Sequence, residues 1–213
     1  MGFSIVMVYN RKETSNKELF ELLGSIAKYV EEKIQMYALG GTALTILGIK
    51  LSTLDIDINI HSEKQYKDLC AIFEQIGFKR TGSIRWITQE GLVFDLFYGS
   101  NILGTELLPD CLKLAKFAQS FGNIELYTLS PYDIIISKLA RGDDRDFIDI
   151  KHILEKEKVD IKTLIDRYKR TMEISTVGQY KQKLLDLIEI KFLQWGYPQE
   201  TELIKEIKRW QGY

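Results

Sequence analysis

The segment Leu54-Asp55-Ile56-Asp57-Ile58-Asn59-Ile60 limits most strongly what this chain can become. Alternation along a strand puts residues two apart on the same face. Asp55 and Asp57 then project together, while Leu54, Ile56, Ile58 and Ile60 point the other way, into a core. Aspartate is depleted in strands, so two of them inside an isoleucine-rich run need a cause. Neighbouring carboxylates repel each other unless a cation sits between them. Their oxygens suit a hard divalent ion such as Mg²⁺, which prefers carboxylates together with substrate phosphates. The alternative is a solvated strand face or a loop with two acids.

Upstream, Gly40-Gly41 separates a short apolar strand (37–39) from a short helix (42–47) that closes near Gly48. Before it, Ser15-Asn16-Lys17-Glu18 has capping-box spacing, and Leu19, Leu22, Leu23, Ile26, Val30 and Ile34 recur at helical steps. The pattern predicts a helix over 16–34 whose apolar stripe covers a sheet. Residues 3–8 read as a strand or an ordered arm. Downstream of the acidic strand (54–60), the pattern predicts a helix over 63–76 with Tyr66, Leu69, Cys70, Phe73 and Ile76 on its buried face. Strand runs follow at 78–82, 84–89 and 92–98, broken by Gly82 and Glu90-Gly91. In the last run Asp95 is a third carboxylate inside an apolar strand. A buried Asp is usually paired or bound to metal, because an unpaired buried charge is expensive.

Past Gly99 the grammar becomes helical: 109–121, then a brief strand at 124–128, then 131–140, 143–155, 160–169, 179–195 and 201–210. Ser130-Pro131 is an N-cap followed by proline at the first helical position. Lys138 stands in an otherwise apolar helix and reads as a snorkelling surface lysine. Arg145 and Asp149 are spaced as a helix-surface ion pair, leaving Asp146 to face a cleft while Phe147, Ile150 and Ile153 face the core.

A net charge of −1 gives no electrostatic case for a general nucleic-acid coat, though a local basic groove remains compatible with it. Cys70 and Cys111 are far apart and lack metal or redox spacing, and His61 and His152 are solitary, which speaks against zinc. No apolar run approaches the roughly 20 residues of a membrane span. The start has neither a basic segment nor a small-residue cleavage site, so no signal peptide is expected and the chain reads as cytoplasmic.

The ordered set Gly40, Gly41, Asp55, Asp57 and Asp95 resembles the DNA polymerase β-type nucleotidyltransferases. These carry a Gly-Gly or Gly-Ser turn, an Asp-x-Asp, and a third Asp on a later strand. The resemblance to that superfamily covers residues 16–98. The segment SPYDIIISKLARGDDRDFIDIKHIL further resembles the one that follows the core in the AbiEii-type nucleotidyltransferase toxins and related prokaryotic proteins. There a Lys-Leu and an Arg-Asp-x-x-Asp follow the sheet; here they are Lys138-Leu139 and Arg145-Asp146-Phe147-Ile148-Asp149. The combined match spans residues 16–155.

The resemblance implies an α+β nucleotidyltransferase fold. Its core (1–128) is a mixed central sheet flanked by helices, and a helical C-terminal region (129–213) packs on that core. It implies that Asp55, Asp57 and Asp95 hold a two-ion Mg²⁺ site. It also implies that Gly40, Gly41, Thr42 and Lys138 meet the phosphates of an NTP, and that Asp146 joins the catalytic set. The glycines let backbone approach phosphates, and Thr42 offers a hydroxyl. The implied reaction transfers an NMP to a hydroxyl of tRNA or of a protein, within a toxin–antitoxin system whose cognate toxin or antitoxin would be a partner. One departure stands out: many relatives carry an arginine shortly before Asp-x-Asp, where this chain has Lys50, a point charge without the bidentate fork. A non-catalytic partner-binding or nucleotide-sensing module on the same scaffold is the alternative.

Overall fold

The computed structural model describes residues 12–175, 178–198 and 201–211. The expected strand or arm at 3–8 lies outside them. Strand β1 (Thr14–Ser15) leads into α1 (Asn16–Ile26), a 3₁₀ turn (Ala27–Tyr29), β2 (Ile34–Ala38) and α2 (Gly40–Ile46). Next come β3 (Ser52–Thr53), β4 (Asp55–Ile60), α3 (Glu63–Gln75), β5 (Lys79–Arg80), β6 (Arg85–Ile87) and β7 (Val93–Tyr98). A small hairpin of β8 (Asn101–Ile102) and β9 (Thr105–Glu106) precedes α4 (Cys111–Leu114), β10 (Lys116–Phe121) and β11 (Ile124–Thr128). The chain then turns helical: α5 (Pro131–Arg141), α6 (Asp144–Lys156), α7 (Ile161–Ile174), α8 (Tyr180–Leu185), a π-helical stretch (Asp186–Lys191), α9 (Phe192–Gln194) and α10 (Thr201–Arg209).

Seven strands form one sheet in the order β10-β11-β2-β4-β7-β6-β5. The pairs β11–β2 and β4–β7 are parallel and the others antiparallel, so the sheet is mixed and the fold is α+β with a helical C-terminal region. Each face follows from strand alternation. Ile56, Ile58 and Ile60 of β4 and Phe94 and Leu96 of β7 are fully buried, as expected for the apolar side of the acidic strand. Leu54 departs from that pattern and is 40 % exposed, because it precedes the strand. Phe73 of α3 packs against Phe78, Trp86 and Phe94, with Trp86 and Phe94 directly opposite each other across β6 and β7. Side chains of this size contribute most of a small core's burial energy, roughly 1.5–3 kcal/mol each.

The opposite face of the same strands carries Asp55, Asp57, Asp95 and Arg85, with Asp57 in register with Asp95 and Asp95 in register with Arg85. Helix α5 packs on α2 beside this face and contacts α6, α7 and α8. Hydrophobic residues of both halves join one core, from Leu19 in α1 to Ile207 in α10. Arg167 of α7 is buried between Asp133 and Asp110, with Nε and Nη1 each 2.8 Å from a carboxylate oxygen, and so ties α7 to the start of α5 and to the α4 turn.

Two expected helices are shorter than the pattern suggests. The capping box at Ser15 and Glu18 forms as expected, but α1 ends at Ile26 and Ile34 begins β2, opposite Ile124. Ile26, Val30 and Ile34 all face the core, so an apolar four-residue rhythm continues across the boundary between a helix and a strand. The expected helix at 109–121 is confined to Cys111–Leu114, and Lys116–Phe121 is an edge strand paired with β11. Gly122-Asn123 makes the two-residue turn of that hairpin, with Gly122 at φ 53°. That dipeptide is a hairpin signal. Among the described residues no helix is long and apolar enough to cross a membrane.

Candidate active site

The glycine turn and the acidic strand are built against each other. Gly40 has φ 47°, a conformation that side-chain-bearing residues avoid. A Cβ there would also sit 3.0 Å from Asp57 Oδ2, and one on Gly41 would sit 2.6 Å from Thr53 Oγ1. The two glycines therefore permit close approach of α2 to the residues that precede and carry the carboxylates. Thr42 completes this joint. Fully buried, its hydroxyl donates to the Asp55 carbonyl (3.2 Å) and accepts from the Asp57 N–H (2.8 Å). The hydroxyl expected at a phosphate is instead turned into the strand, where it fixes the backbone of both aspartates. Thr53 Oγ1 donates to the same Asp55 carbonyl at 2.9 Å.

Asp55 and Asp57 line a cavity of about 430 Å³, together with Gly41, Lys50, Thr53, Lys138, Arg141, Arg145, Asp146 and Asp149. One wall is the sheet face. Here the Asp57 carboxyl is pushed up to about 7, first by burial and then by the charges of Asp95 and Asp55; Arg141 and Lys138 pull it only partly back. No hydrogen bond or ion pair among the described residues serves that carboxylate. Asp95 is served in full: Arg85 grips it with two hydrogen bonds, Nε–Oδ1 at 2.8 Å and Nη2–Oδ2 at 2.6 Å. The same Nη2 lies 3.8 Å from Asp55 Oδ2. Among the described residues no group of three acidic, histidine or cysteine side chains is arranged to hold a metal ion. The pair that fits a hard cation is Asp55 and Asp57, with Asp57 carrying uncompensated charge and the Gly40 turn leaving it room.

The other wall is helical. Lys138, expected at the surface, is 2 % exposed. Its Nζ contacts Asp149 at 2.5 Å and Asp146 at 3.3 Å. Arg141, one turn further along α5, holds Asp146 with two hydrogen bonds of 3.1 and 2.6 Å. Lys50 reaches Asp149 at 2.8 Å, so the lysine that stands where an arginine was expected is anchored to α6. Asp149 thus pairs with Lys50 and Lys138, and the expected Arg145–Asp149 ion pair is replaced. Arg145 is exposed at the cavity and has no ion pair among the described residues. Burial would raise Asp146, but the Arg141 hydrogen bonds and the charges of Arg141 and Lys138 hold it below the usual carboxylate range.

The structure therefore brings Gly41, Asp55, Asp57, Lys138 and Asp146 to one cavity, with Gly40 against Asp57 and Asp95 on the adjacent strand, in register with Asp57 and held by Arg85. Two participants escaped the sequence reading. Arg85 precedes a core tryptophan in a strand, so alternation alone puts it on the face opposite Trp86. Arg141 lies three residues after Lys138, on the same side of α5, just before the helix-ending Gly142.

A neighbour by structure is an antigenic nucleotidyltransferase-like protein from Paracoccidioides brasiliensis, at 14 % identity and TM-score 0.51, covering 92 % of this chain and 95 % of that one. A candidate nucleotidyltransferase from Thermotoga maritima matches at 16 % identity and TM-score 0.44, over 70 % of this chain and 99 % of that one. The first of these likenesses, at that identity, speaks for the fold alone. No curated protein matches the sequence. A family model does, over residues 17–196, and by that match the chain belongs to the family described as "Nucleotidyltransferase of unknown function (DUF6036)".

Proposed function

We propose that this protein is a Mg²⁺-dependent nucleotidyltransferase that moves an NMP from an NTP to a hydroxyl of tRNA or of a protein, as one component of a toxin–antitoxin pair. The observation that carries the reading is the cavity itself: Asp55 and Asp57 on one wall, and Lys138, Arg141, Lys50 and Arg145, interleaved with Asp143, Asp146 and Asp149, on the other. Such a cleft suits a triphosphate, whose charge needs cations on one side and a carboxylate-held metal on the other.

In the reaction, the acceptor oxygen forms a bond to the α-phosphorus as the bond from that phosphorus to the bridging oxygen of the β-phosphate breaks; the acceptor hydroxyl gives up its proton to solvent, and pyrophosphate leaves. Bound Mg²⁺ supplies electrostatic stabilisation of the charge that builds on the phosphoryl oxygens. Asp55 and Asp57 hold it, their backbone fixed by Thr42. Gly41 brings backbone to the cavity without a side chain in the way. Lys138 and Arg141 meet phosphate oxygens as charges already oriented by Asp146 and Asp149, so little side-chain entropy is lost on binding. Asp146 serves in this reading by positioning those cations.

The test is incubation with each labelled NTP, Mg²⁺, tRNA and cell extract. Label transferred to tRNA or to a protein by wild type and lost with Asp57→Asn supports the reading. Growth arrest on expression that needs Asp55 and Asp57 supports a toxin, and modification of a co-purifying protein without arrest supports an antitoxin. Absence of transfer, with no Mg²⁺-dependent thermal shift from any NTP, favours the non-catalytic module.

A further inference from the structure

Asp95 is the carboxylate that a two-ion centre would have to recruit, and in this fold both of its oxygens are already engaged. Arg85 grips them at 2.8 and 2.6 Å, a two-point contact that only a guanidinium makes. This is no chance surface pairing. Arg85 and Asp95 are direct cross-strand partners of β6 and β7. The next residue, Trp86, is fully buried against Phe73, opposite Phe94. The tryptophan anchors the strand, and alternation then delivers Arg85 onto the acidic face. Asp95 retains only 8 % side-chain exposure beneath it. The guanidinium also extends toward Asp55, at 3.8 Å, so its charge bears on Asp95 and on Asp55 together. With all three carboxylates ionised, they and the one guanidinium leave a charge of −2, which a single divalent cation balances.

We propose that Arg85 takes the place of a second metal ion, so that the centre holds one divalent cation, on Asp55 and Asp57, with Asp95 serving as the anchor of Arg85. The proposal rests on the reading that Asp55 and Asp57 are metal ligands. Arg85 is then a positioning residue that sets the metal count, and removing its fork opens a second ion site at Asp95.

The experiment counts bound ions, with Mn²⁺ alone as the probe, by electron paramagnetic resonance of the free ion and by titration calorimetry. Wild type is expected to bind one Mn²⁺ per chain and Arg85→Gln two. Arg85→Gln combined with Asp95→Asn is expected to return to one, and Asp57→Asn to bind none. Arg85→Lys keeps a charge beside Asp95 and is expected to stay at one, which separates loss of the cation from disturbance of the strand. Two ions on wild type, reduced by Asp57→Asn, overturn the substitution by Arg85 but leave the metal-centre reading intact. A folded Arg85→Gln that still binds one ion overturns it as well. No Mn²⁺ on wild type overturns both. If Arg85→Gln does not fold, the wild-type count decides.

Discussion

Asp57 and Asp146 are the same residue on facing walls of one cavity, and their carboxyls shift in opposite directions. Asp57 is pushed up to about 7, by burial and by the neighbouring charges of Asp95 and Asp55. Asp146 is also buried, yet it lies below the ordinary carboxylate range, because Arg141 and Lys138 are bonded to it. Burial is common to both; partners decide the sign. The helical wall has its counter-charges built in, and they hold Lys138 and Arg141 in fixed positions. The sheet wall keeps one carboxylate short of a cation, and a group in that condition inside a cleft marks a functional site.

The comparison breaks first on activity. Asp57→Asn is expected to lower nucleotide transfer by at least about 10³-fold, because a ligand that holds transition-state charge is lost; Asp57→Asn with full transfer in the labelled-NTP assay would sink the assignment. The second break is on stability, and there the two walls should differ in sign. Lys138→Met removes the buried cation shared by Asp146 and Asp149, leaving Asp146 to Arg141 and Asp149 to the partly exposed Lys50, and loss of one partner of a buried ion pair costs up to about 3–5 kcal/mol. Asp57→Asn instead relieves repulsion and should stabilise the metal-free protein at pH 8 by about 1–3 kcal/mol. Urea denaturation of the two variants beside wild type measures both.

The third prediction sharpens the same point through pH. A carboxyl held at about 7, above its ordinary 3.8, binds more protons folded than unfolded between those values. Its contribution therefore makes the metal-free fold less stable as pH rises through that window. Asp146, shifted downward, contributes stability that is present above its ordinary range and is lost only as pH falls below it. Mg²⁺ should reverse the Asp57 effect, with a stabilisation that grows from pH 5 to pH 8, since the ligand must be ionised. Melting temperatures at both pH values, with and without Mg²⁺ and with Asp57→Asn as control, check this; a metal shift independent of pH would count against it.

The smallest effect is expected at Lys50. It pairs with Asp149 but is 37 % exposed, and Asp149 keeps Lys138, so Lys50→Ala should cost less than about 1 kcal/mol of stability. A loss equal to that of Lys138→Met would mean that the helical wall is one inseparable network.

Much of this arrangement could be read from the chain because it depends on local periodicity. The alternation of 55–60 and 93–98 put three aspartates on strand faces, and the spacing of Ser15 and Glu18 announced a helix start that forms. Boundaries were less legible where two element types share an apolar rhythm, as at Ile34, which is a strand residue following a helical pattern. Lys138 shows a different limit. An isolated cation in an apolar helix reads as a surface residue until its acids, eight and eleven positions on, fold back over it.

By itself the sequence determined which residues bear charge on which face, because side-chain direction along a strand or helix is fixed by the backbone repeat. Only the tertiary structure decided which charges meet. Strand order set Arg85 on Asp95 and left the Asp57 carboxylate without a hydrogen bond or ion pair among the described residues, and the packing of α5 and α6 closed Lys138 and Arg141 onto Asp146. Partnership between distant residues depends on strand order and helix docking, and no local pattern encodes either.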